Sequence, residues 1–100
     1  MTLEITQKDD QVIAKLIGRL DTAASQQFSV DMQPLLDNAD KKILMDCTDL
    51  DFISSSGLRL FLTIRKEAST KGGKVIIENI SEEIRKVFMM TGFFNLFEIR

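Results

Sequence analysis

Apolar residues recur along this chain with a period that changes several times, and each change marks an element boundary. Leu3 and Ile5 alternate with polar neighbours, Lys8 to Gln11 makes a turn, and Val12, Ala14 and Leu16 then alternate against Ile13, Lys15 and Ile17. A period of two sends successive side chains to opposite faces, so the segment reads as two antiparallel strands. Gly18 is expected to end the second strand, and a loop through Arg19 and Asp21 leads into a helix with Phe28, Met32, Leu35, Leu36 and Ala39 on one face. Pro34 removes a hydrogen bond from that helix and clashes with the carbonyl four residues back, which predicts a kink or a break into two pieces.

From Lys42 the pattern shortens to the run Ile43, Leu44, Met45, the kind produced by a central strand covered on both faces. An acidic loop, three consecutive serines (Ser54 to Ser56) and Gly57 follow. Leu58, Phe61, Leu62 and Ala68 then keep helical spacing, with Arg59, Lys66 and Glu67 left for water, until Lys71-Gly72-Gly73 ends the helix. Val75, Ile76 and Ile77 form another buried strand. A strand, a helix and a second strand joined by short turns is a crossover unit, which places its strands parallel and makes the sheet mixed. Ser81 caps a last helix with Glu82 and Glu83 in its first turn and Ile84, Val87, Phe88 and Thr91 as its buried stripe. Gly92 stops it, and Phe93, Phe94, Leu96, Phe97 and Ile99 predict a short edge strand or a tail packed on the core, with a docking surface as the rival reading.

No linker, repeat or low-complexity tract interrupts this pattern, and 100 residues is a common size for one domain with its own core. A composition of 44% hydrophobic and 28% charged residues is that of a folding chain. A net charge of -2 supplies no basic footprint for nucleic acid. Glu4, Lys8, Asp9 and Asp10 leave no apolar core for a signal peptide, and no later apolar run is long enough to cross a bilayer, so a cytoplasmic location is expected. Cys47, the single cysteine, forms no internal disulfide and reads as a small buried packing residue.

The absence of histidine excludes Ser-His and Cys-His nucleophilic pairs. The Gly72-Gly73 pair precedes a strand, where a phosphate-binding loop would follow one. Asp46, Asp49 and Asp51 lack the spacing of a calcium loop and are expected to accept loop hydrogen bonds. What remains is the serine cluster at a helix start. Free backbone N–H groups and the positive end of the helix dipole favour negative charge there, so the pattern reads as a phosphorylation switch. One serine of the three is accounted for as an N-cap. Gly57 either admits a partner's backbone or lets the helix pack tightly on a strand.

Ile43 to Cys47 followed by Leu50-Asp51-Phe52-Ile53-Ser54-Ser55-Ser56-Gly57-Leu58 resembles the signature of STAS domains, most closely the bacterial anti-sigma-factor antagonists. Gly18-Arg19-Leu20-Asp21 and Thr91-Gly92-Phe93 also match family landmarks, so the resemblance runs over nearly the whole chain. It implies an α/β fold: one STAS-like domain over residues 1–100, with a mixed four- to five-stranded sheet and helices mainly on one face. It further implies a binding protein with no catalysis and no cofactor of its own. Unmodified, such a protein captures an anti-sigma factor that is also a serine kinase and so releases a sigma factor for transcription; phosphorylation ends the capture and a phosphatase resets it.

The phosphoacceptor position falls on Ser55, with Ser56 and Ser54 as alternatives because the residue before the acceptor, often aspartate in the family, is serine here. Asp21, Ser54, Ser56, Gly57 and Arg59 are the implied partner-binding set, and Arg59 lies one turn beyond Ser55 on the same helix face. The rival is a stand-alone STAS subunit that braces or regulates a membrane transporter without a phosphorylation cycle.

Overall fold

The computed structural model describes residues 1–100. Strands β1 (Thr2–Lys8), β2 (Gln11–Leu20), β3 (Lys42–Ile53), β4 (Lys74–Glu78) and β5 (Glu98–Ile99) form one sheet in the order β1-β2-β3-β4-β5. β1 pairs antiparallel with β2, and every later pairing is parallel. The mixed sheet is therefore as the crossover pattern predicts. Helices α1 (Thr22–Asp31), α2 (Gln33–Asp37), α3 (Ser55–Lys71) and α4 (Glu82–Met90) connect the strands.

The period-two residues build the floor of the core: Val12, Ala14 and Leu16 of β2, Ile43 and Met45 of β3 and Ile77 of β4 are all fully buried. The helices cover that floor with a row of rings. Phe28 of α1, Phe61 of α3, Phe88 of α4 and Phe97 lie in sequence with centroids 6.2, 6.3 and 5.9 Å apart, tilted or edge-on as ring quadrupoles prefer. Pro34 does divide the first helical segment: α1 ends at Asp31, and α2 restarts with proline in its first turn, where the missing N–H is harmless. Gly92, in the left-handed region at φ 78°, stops α4. The tail forms a short 3-10 turn over Phe93–Leu96 and then the edge strand β5.

Five expectations change. β3 is central, but its second face is only partly covered: Leu44 is half-buried there, in register with half-buried Ile13 and fully buried Ile76. Gly18 does not end β2, which runs on to Leu20 with Gly18 at φ 102°. The acidic segment is strand, not loop. Opposite β2, β3 carries extra residues between the Lys15–Asp46 and Ile17–Asp49 pairs and again between Gly18–Leu50 and Arg19–Phe52. These are β-bulges, and they convert the inward spacing from two to three, so that Cys47, Leu50 and Ile53 all face the core. Thr91 is exposed and serves as the α4 C-cap, its hydroxyl donating to the carbonyls of Val87 and Phe88 at 2.8 and 3.2 Å. Ile64, outside the predicted stripe of α3, is fully buried.

Candidate functional site

Because β2, β3 and β4 are parallel, their C-terminal ends share one edge of the sheet, and α1, α3 and α4 all begin there. Two of these starts are tied together. Leu20 and Ile53 are register partners, and the Ser54 N–H donates to the Leu20 carbonyl at 2.8 Å, which sets Asp21 and Ser54 side by side on adjoining loops. Asp21 caps α1 by accepting from the Ala24 N–H at 2.8 Å. Ser54 caps α3 by accepting from the Gly57 N–H at 3.1 Å.

The serine run is thereby sorted by role. Ser54 is half-buried and its hydroxyl is occupied by the cap. Ser55, the first residue of α3, is exposed and its hydroxyl has no hydrogen-bond partner in the chain. Ser56 is half-buried and lines a shallow depression of about 340 Å³ with Arg59, Leu60 and, from α1, Thr22, Ser25 and Gln26. Arg59 is exposed one turn beyond Ser55. No acidic residue stands in the first turn of α3.

Gly57 does not belong to the accessible set. It is buried, and a Cβ there would sit 2.8 and 2.9 Å from Leu20 Cγ and Cδ2 and 3.0 Å from Ile53 Cγ1. This is the geometry of the second reading, close packing of α3 on β2 and β3.

Near this edge lies a pair that the periodicity did not reveal. Arg19 and Phe52 face each other across β2 and β3, with the guanidinium carbon 4.5 Å from the ring centroid and the ring 37% exposed. The signal in the sequence was an apolar residue two positions before Ser54, but its direction depends on the bulge beside it.

Asp46, Asp49 and Cys47 are engaged within the fold. Asp46 accepts from the Thr48 hydroxyl at 2.6 Å and the Thr48 N–H at 3.0 Å, and these bonds, the hydroxyl first, hold its carboxyl below the usual value. Asp49 pairs with Lys15 at 3.4 Å. Asp46 and Asp49 are thus held by neighbours within the sheet, and no group of three or more His, Cys, Asp and Glu is placed to hold a metal ion. Burial pushes the Cys47 thiol up to about 12, which leaves it no thiolate at neutral pH. No helix is long and apolar enough to cross a membrane.

Comparison with known proteins adds to this geometry. The model of the STAS domain matches residues 2–100. The anti-sigma-B factor antagonist of Bacillus subtilis is 24% identical over 100 residues, covering 99% of this chain and 90% of that protein. BtrV of Bordetella bronchiseptica is 28% identical over 99 residues, covering 99% and 85%. Among solved structures, the Bacillus anti-sigma factor antagonist SpoIIAA superposes in its phosphorylated form with a TM-score of 0.73, at 25% identity and covering 99% of this chain and 91% of the other. Its unphosphorylated form gives a TM-score of 0.74, at 24% identity and covering 99% and 87%.

Proposed function

The chain belongs to the STAS domain family, and from that premise we propose that it is an anti-sigma factor antagonist switched by phosphorylation of Ser55. Unmodified, it captures an anti-sigma factor that is also its serine kinase and so releases a sigma factor; a phosphatase restores the capturing form. One observation carries the reading. Ser55 is exposed, bears a free hydroxyl, and opens a helix whose first turn holds no carboxylate. The existence of SpoIIAA in phosphorylated and unphosphorylated forms supports it.

The physics is asymmetric. A phosphate adds about -1.5 to -2 charges and three acceptor oxygens. Inside its own molecule that group lies on free helix N–H groups, with Arg59 one turn along. Against a partner the same group must shed water and displace a packed surface, so the complex loses its stability while the fold keeps its own.

The test is intact mass after incubation with ATP and the cognate anti-sigma factor kinase. An adduct of one phosphate on the wild-type chain, absent in Ser55→Ala, is expected. No adduct under any condition favours the transporter-brace reading, and an adduct that survives in Ser55→Ala moves the acceptor to Ser54 or Ser56.

A further inference from the structure

Continued alternation from Leu50 would send Phe52 into the core. The bulge at Asp51 prevents it: Leu50 and Ile53 are 2% exposed, while Phe52 between them is turned out and 37% exposed. Phe52 is the one aromatic residue among the exposed large apolar side chains of this chain, and bulges beside functional sites re-aim side chains in this way. Arg19 stacks on the ring, its guanidinium carbon 4.5 Å from the centroid.

That guanidinium pairs with no carboxylate of the chain, as is true of most of its cations, and what distinguishes it is the exposed ring beneath it. Stacking fixes the fork of Arg19 in place and leaves its charge and its donors facing outward. An oriented, uncompensated Arg on an exposed aromatic has the composition of an interface hot spot. It also stands one residue before the Leu20–Ile53 pair that joins Asp21 to Ser54.

We infer that Arg19 and Phe52 form a specificity contact with the anti-sigma factor, receiving a carboxylate of that partner against the guanidinium and an apolar side chain against the ring. The inference rests on the antagonist reading above and names the chemistry the partner must present. Binding through this pair weakens as salt rises, because the partner's carboxylate is attracted from solution by an exposed charge.

The experiment is titration calorimetry of the unphosphorylated chain against its purified anti-sigma factor at low and high salt. Arg19→Glu is expected to weaken binding by about 30-fold or more, and Phe52→Ala by about 10-fold. Arg19→Lys keeps the charge without the planar fork and is expected to lose roughly 3- to 10-fold. Reversing one acidic residue of the partner should restore binding to Arg19→Glu. Both positions are surface-exposed, and unchanged circular dichroism and melting of each variant separate lost contact from lost fold. Wild-type binding matched by Arg19→Glu and Phe52→Ala overturns this inference and leaves the antagonist reading standing. A wild-type chain that neither binds the anti-sigma factor nor is phosphorylated by it overturns both.

Discussion

Helices α3 and α4 begin in the same way and diverge one residue later. Each follows a parallel strand to the same edge of the sheet, and each is capped by a serine hydroxyl that accepts the N–H three residues on: Ser54 from Gly57 at 3.1 Å and Ser81 from Ile84 at 3.2 Å. After its cap, α4 places Glu82 and Glu83; α3 places Ser55 and Ser56 and no acid. The third helix at this edge, α1, has the Asp21 carboxylate as its cap. Of the three positive helix ends gathered here, α3 alone is left without a built-in negative charge. The difference teaches that the charge α4 carries in its sequence is, in α3, left to be added and removed.

The two starts differ in packing as well, and the largest predicted effects come from there. At the third position after the cap, α4 has Ile84, 1% exposed, where α3 has Gly57. Ile84→Ala should cost about 2–5 kcal/mol in urea unfolding, the transfer and cavity loss of a buried aliphatic side chain. Gly57→Ala should cost about 1–3 kcal/mol through overpacking against Leu20 and Ile53, although alanine would gain about 1 kcal/mol at an open helical position. A neutral or stabilising Gly57→Ala would break the comparison.

The caps come next. Ser54→Ala and Ser81→Ala should each lose about 1 kcal/mol, and equal losses would show that the two helices are held alike before charge is considered. The smallest effects sharpen the point most. Glu82→Gln should destabilise by about 0.3–1 kcal/mol and Ser55→Glu should stabilise by a similar amount, both shrinking as salt is raised. A destabilising Ser55→Glu would mean that the α3 end does not welcome charge.

Much of this arrangement was legible in the sequence because it rests on local periods. Alternation gave the buried residues of β2, proline chemistry gave the division after Asp31, and a serine run after an apolar strand gave the start of α3. The misses in β3 and at Gly57 have a common cause in contacts between distant segments. The bulges of β3 arise only from its register with β2, so the stretch after Cys47, with Leu50 and Ile53 inward at a spacing of three, read as loop. The same register decides that Phe52 turns outward under Arg19, a contact that no window of either strand contains. Gly57 was ambiguous for a related reason, since only the positions of Leu20 and Ile53 show what a Cβ would strike.

The central claim is that a phosphate at the start of α3 is cheap within the molecule and ruinous at its interface. Its most direct test is a paired measurement on one sample phosphorylated to completion at Ser55: the melting temperature of the chain alone and its affinity for the anti-sigma factor. The account predicts melting unchanged or raised by a few degrees and affinity reduced by about 100-fold or more. Melting lowered by about 8 °C or more, or affinity equal to that of the unmodified chain, would contradict it.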